Sequence, residues 1–154
     1  MNIKMSMIAM VLVSGTAFAG GYGGGHGGGG SDPLPQNSSN ETVNIYQAGG
    51  NNGASVDQSA SKYADVNISQ QGFNNLATAT QSSAYNSDIN VSQSGFGNSS
   101  SNYQTGDNST INVSQSNLFG WGGGNNASVT QTADSSIVNV TQNGSANWAN
   151  VYQH

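Results

Sequence analysis

The sequence predicts an all-β chain: a β-solenoid of five strand-turn-strand repeats, packed as two parallel in-register sheets of cross-β type behind a disordered Gly-rich leader. Three observations carry this. Short runs alternate small or aliphatic residues with polar ones and close on glutamine, as in Val66, Ile68, Gln70 and again Ala77, Ala79, Gln81; residues two apart share one face of a strand. The pattern recurs five times from residue 41, the mark of a repeat architecture. Of the 154 residues only 6% are charged and 34% hydrophobic, with no cysteine. That composition is too poor in apolar side chains for an ordinary core and too uncharged for a solvated coil. Asn/Gln-rich chains of this kind tend toward β-aggregation.

In chain order, residues 1–19 read as a secretion signal. Lys4 supplies the positive start, "MSMIAMVLV" (5–13) the apolar core and "AFA" (17–19) the small-residue cleavage site. The apolar run is too short to cross a bilayer, which takes about 20 residues as a helix. Residues 20–40 begin "GGYGGGHGGGGSDPLPQ", a leader without side chains to bury and with the highest backbone entropy to lose. A single imidazole there, His26, has no partners with which to hold a metal.

The repeats are assigned to 41–63, 64–86, 87–108, 109–135 and 136–154. First strands offer Val43/Ile45, Val66/Ile68, Ile89/Val91, Ile111/Val113 and Val138/Val140; second strands offer Ala54/Val56, Ala77/Ala79, Ser100/Asn102, Ala127/Val129 and Ala149/Val151. A period of two excludes helices, whose apolar positions recur at three and four. Gly49, Gly72, Gly95 and Gly144 mark the turns, where positive φ is required. Asn52, Asn75, Asn98, Asn125 and Asn147 open the second strands at inward parity. The third repeat, with Ser100 and Asn102 in apolar positions, is predicted to be the weakest.

First strands end on Gln47, Gln70, Gln93, Gln115 and Gln142, second strands on Gln58, Gln81, Gln104, Gln131 and Gln153, all at inward parity. A buried amide without a partner costs about 1–3 kcal/mol. Two short strands make a marginal hairpin at best, so the repeats are predicted to stack, each glutamine bonding its copy one rung away. End rungs without caps then present unpaired backbone groups to another copy. Asp65 and Asp88 take outward positions, and Asp107 and Asp134 fall in the connections; they act either as brakes on association or as plain solubilising charges. The "NLFGWGGGN" insertion (117–125) places Leu118, Phe119 and Trp121 in a solvent-facing loop, a tolerated insertion or a contact between filaments.

On these motifs the chain resembles the curlin family, subunits of bacterial curli fibres. The family pattern is Ser, five residues, Gln, x, Gly, two residues, Asn, x, Ala, three residues, Gln. The fifth repeat matches it with Ser136, Gln142, Gly144, Asn147, Ala149 and Gln153. The third has Ser100 for alanine, the first and second have Glu41 and Ala64 for serine, and the fourth has Asn117 for glycine. The resemblance covers 41–154, with the signal and leader alongside, and is to the major fibre-forming subunit. It implies secretion to the cell surface through an outer-membrane pore with accessory chaperones, templated self-polymerisation aided by a nucleator subunit, and roles in biofilm matrix and adhesion to host or matrix surfaces. A nucleator or minor fibre subunit is the alternative within the family.

Other classes fare worse. A net charge of −5, with Lys4 and Lys62 as the only basic residues, argues against nucleic-acid binding. Two histidines and dispersed acids form no acid–base pair, so neither an enzyme nor a cofactor is expected. A monomeric adhesin or ice-binding solenoid needs a regular outward array, and the outward positions mix Asn, Ser, Tyr and Thr.

Overall fold

Alternating valine, isoleucine and threonine favour pleated strands, and Gly- and Asn-rich corners interrupt them before they grow long. The computed structural model describes residues 10–14, 40–117 and 123–154, and among these every regular element is a strand. Ten strands form five rungs: β2 (Thr42–Gly50) with β3 (Gly53–Ser59), β4 (Asp65–Phe73) with β5 (Leu76–Ser82), β6 (Asp88–Phe96) with β7 (Ser99–Gln104), β8 (Thr110–Ser116) with β9 (Asn126–Gln131), and β10 (Ile137–Asn143) with β11 (Trp148–Gln153). One strand precedes them, β1 (Met10–Ser14).

The first strands pair as one parallel sheet in the order β10-β8-β6-β4-β2, the second strands as another in the order β1-β3-β5-β7-β9-β11. Equivalent positions meet in every pairing: Val66 lies beside Ile89, Gln70 beside Gln93, Ala77 beside Ser100 and Gln104 beside Gln131. A parallel sheet is commonly shielded on both faces by helices; here each sheet shields the inner face of the other and leaves its own outer face to solvent. The fold is a β-solenoid of about five turns. Its core is a narrow stripe that includes Val66, Ile68, Ile89, Val91, Ile111 and Val113 from one sheet and Val56, Ala77, Ala79, Ala127 and Val129 from the other, all buried. At the end rungs Val43, Ile45, Ala149 and Val151 are only partly buried, because β2 and β11 each have one neighbouring strand.

The turn glycines form a column. Gly49, Gly72, Gly95 and Gly144 have φ of 113, 112, 106 and 107°, a region that L side chains rarely adopt. Space forbids a side chain as firmly: a methyl group at Gly49 or Gly72 would strike the carbonyl oxygen of the next rung's glycine.

The first rung departs from expectation. Its β3 edge is not open, because β1 runs parallel along it, from Met10 beside Gly53 to Ser14 beside Asp57. An unpaired edge is a template for another extended segment, and part of the apolar run assigned to the secretion signal supplies one. The rest of that signal, the leader 20–39 with His26, and the loop residues Leu118, Phe119 and Trp121 lie outside the described residues.

Candidate functional site: the amide ladders and the end rungs

Each inward glutamine that has a following rung donates along the stack. On the first strands Nε2 donates to the next Oε1 from Gln47 through Gln70, Gln93 and Gln115 to Gln142, at 2.6, 2.8, 2.8 and 2.8 Å. On the second strands the chain from Gln58 through Gln81, Gln104 and Gln131 to Gln153 has distances of 2.8, 2.9, 2.9 and 3.3 Å. A primary amide has two N–H groups, and the second is also used. Gln70, Gln93 and Gln115 donate it across the interior to the carbonyls of Gly53, Leu76 and Ser99, each at 2.9 Å. Gln58 and Gln81 reach the carbonyls of Ala64 and Ser87 in the connections, at 2.7 and 2.8 Å. Those carbonyls fix which end of each amide is nitrogen, and so fix the direction of the whole ladder.

Two inward asparagines donate forward to turn carbonyls, Asn52 to Gly72 O at 2.9 Å and Asn75 to Gly95 O at 3.1 Å, and three donate back along the stack. Asn75 Nδ2 donates to Asn52 Oδ1 at 3.1 Å, Asn98 to Asn75 at 3.0 Å and Asn147 to Asn125 at 3.0 Å. The Asn75, Asn98, Asn125 and Asn147 backbone N–H groups use the same oxygens, at 3.1, 3.1, 3.0 and 3.1 Å. Each asparagine side chain thereby ties a turn to the turn of the neighbouring rung.

The two ends of the stack therefore differ chemically. Gln47 Oε1, in the first rung, is buried and accepts no hydrogen bond among the described residues. Gln142, in the fifth, donates Nε2 to Asn126 O at 3.0 Å and retains a second N–H, the one its counterparts give to the next rung. Gly144 differs from its column in the same sense: the nearest atom to a methyl group placed there would be Asn147 Nδ2, at 3.6 Å.

Three features go beyond the alternation. Serine of the repeat pattern is a connector: Ser87 Oγ donates to Gly106 O at 2.8 Å and accepts from Ser109 N at 3.2 Å, and Ser109 Oγ donates to Ala133 O at 2.8 Å. Asn117, where the pattern has glycine, imitates a peptide group. Its Oδ1 accepts from Phe96 N and its Nδ2 donates to Phe96 O, both at 2.7 Å, so its side chain completes the pairing of β6 where the backbone leaves the sheet. Outward, Asn44, Asn67, Asn90, Asn112 and Asn139 form an unbroken ladder at 2.8, 2.9, 3.0 and 2.9 Å. Within the mixed outward face this one column is regular, the asparagine between the two aliphatic residues of each first strand.

Two details mark weak points. In the third rung Asn102 is buried, and its Oδ1 has no partner among the described residues; its Nδ2 bonds Ser100 Oγ at 2.8 Å and Thr78 O at 3.2 Å. Asp88 pairs beside Asp65, and its carboxyl is raised above the ordinary range, first by desolvation and second by the Asp65 charge.

Two parallel sheets zipped by directional amide ladders define a structural β-solenoid of the amyloid type. The curlin associated repeat matches residues 64–94 and 84–116, across the second and third rungs and into the fourth. The match supports a curlin-family protein, and proteins of that family are components of extracellular curli fibres. No curated protein matches it.

Proposed function

We propose that this chain is a secreted fibre subunit that polymerises head to tail, the fifth rung of one copy seating on the first rung of the next, to build curli-like amyloid for biofilm matrix and surface adhesion. The observation that carries the reading is the complementarity of the end rungs. Gln142 holds a spare N–H and Gln47 Oε1 holds an empty acceptor; in that junction they meet as every other pair in the column meets. Asn147 Oδ1 likewise faces the Asn52 amide. The partly buried Val43 and Ile45 of the first rung would be covered by Val138 and Val140, and the partly buried Ala149 and Val151 of the fifth by Ala54 and Val56. Stacking first rung on first rung instead sets acceptor against acceptor. A subunit of five rungs is about 24 Å tall at the strand spacing, and the fibre continues it. Residues 1–19 as a removable signal and 20–40 as a leader for the secretion pore belong to the same reading, as do a nucleator subunit and accessory chaperones.

The test is polymerisation of the chain from Gly20 onward. Growth after a lag, abolition of the lag by sonicated fibres, and a meridional reflection near 4.7–4.8 Å are expected. A chain that stays monomeric at high concentration, indifferent to seeds, overturns the proposal.

A further inference from the structure

The first rung already holds a strand on the edge that the next copy would need. β1 lies parallel on β3 with Met10, Val11, Leu12, Val13 and Ser14 beside Gly53, Ala54, Ser55, Val56 and Asp57. At the other end of the stack, Trp148, Ala149, Asn150, Val151 and Tyr152 of β11 occupy the equivalent register positions beside Asn126 to Thr130 of β9. Carried round the column through β5 and β7, the two sets superpose: Val11 takes the register place of Ala149, and Val13 that of Val151. β1 is thus placed where the β11 of an incoming copy would pair.

We infer that the Met10–Ser14 segment is a strand mimic that caps the first-rung end of the unprocessed chain and keeps it from accepting another copy; the inference rests on the head-to-tail reading above. One strand suffices as a block. β10 and β11 are joined by a turn of only four residues, 144–147, so β10 cannot seat on the β2 edge unless β11 takes the β3 edge beside it. β1 stops at Ser14, beside Asp57 and one position short of Gln58, so what it occupies is the backbone edge of β3. Removal of residues 1–19 then uncovers the edge, and fibre growth is coupled to processing. Among the described residues no strand pairs with the outer edges of β10 and β11 in the fifth rung. An unprocessed copy can therefore add to a fibre end that displays a first rung, and it then terminates that end.

The experiment compares three chains: 1–154, 20–154, and 1–154 carrying Leu12→Pro with Val13→Pro. Proline cannot donate to a ladder, and adjacent prolines cover both hydrogen-bonding parities while leaving the segment apolar. The lag of 1–154 is expected to exceed that of 20–154 on the order of tenfold, because each encounter must displace a paired edge strand. The double-proline chain is expected to return to the lag of 20–154. In mixtures, substoichiometric 1–154 stops growth at one end of immobilised 20–154 fibres and the proline chain does not. Equal lags for 1–154 and 20–154 overturn the inference, and so does a proline chain as slow as 1–154, which would trace the delay to apolar character rather than strand pairing. Failure of 20–154 to polymerise at all would instead overturn the head-to-tail reading.

Discussion

Asn117 shows how much one side chain can do where the backbone departs from the pattern. Both polar atoms of its amide engage Phe96, one as acceptor and one as donor. Asn117→Asp keeps the acceptor and loses the donor, leaving the Phe96 carbonyl beside a carboxylate. We expect a loss of about 1–3 kcal/mol, the cost of an unsatisfied buried polar group, read as a lower guanidinium midpoint of the freshly folded monomer. A pH effect belongs to the same scale. The raised Asp88 carboxyl binds its proton more tightly in the folded chain than in the unfolded one, so the stability it contributes is fully present below the ordinary aspartate range and is lost as pH rises through its raised folded value. Acidification from neutral pH through that window should therefore stabilise the monomer, and Asp88→Asn should flatten the dependence. An unchanged slope in the variant would place the titrating group elsewhere. Neither residue's role was legible in the sequence: Asn117 stood there as a departure from glycine, and Asp88 as one of several scattered acids whose pairing beside Asp65 depends on the rung register.

At the scale of the strands, alternation and repetition made most of the fold legible. Val66, Ile68 and Gln70 share one face for purely geometric reasons, and five copies of that face can be covered only by stacking. The second acceptors of the glutamines could not be read, because Gly53 O and Leu76 O belong to the opposite sheet and are brought close by the solenoid's width rather than by spacing. β1 was missed for a different reason: its apolar run was read by composition as a targeting signal, and pairing to an edge strand leaves no periodic trace in so short a segment. The third rung, singled out for Ser100 and Asn102, carries a buried oxygen with no partner among the described residues. Replacing both residues together, Ser100→Ala with Asn102→Val, removes donor and acceptor at once, a change that is neutral to stabilising. We expect a gain of about 1 kcal/mol or more in denaturant unfolding of the monomer, with slower hydrogen exchange at β7 amides. Faster exchange would show that the polar pair supports this rung.

For the whole molecule, direction is the property that matters. Glutamine amides donate from the first rung toward the last, and each inward asparagine oxygen from Asn52 to Asn125 accepts the backbone N–H of the following rung, so every copy has two unlike and complementary ends. Gly144 tests the junction from one side. In its own copy a methyl group there has room, although its φ of 107° makes the substitution cost about 1–3 kcal/mol in strain; seated on a second copy, the methyl would meet the carbonyl of Gly49, as it would within the column. Gly144→Ala should therefore add to fibre ends through its intact first rung and then halt them, visible as loss of growth at a small molar fraction in seeded reactions. Undiminished growth would contradict this packing. The most direct measurement uses the absence of cysteine in the chain. Asn139→Cys and Asn44→Cys variants of 20–154, each spin-labelled, are polymerised together and separately. Head-to-tail stacking predicts strong dipolar coupling at one strand spacing, about 4.8 Å between backbones, in mixed fibres only, with labels about 24 Å apart in fibres of either variant alone. Strong coupling within a single-variant fibre, or none in the mixture, would contradict the account.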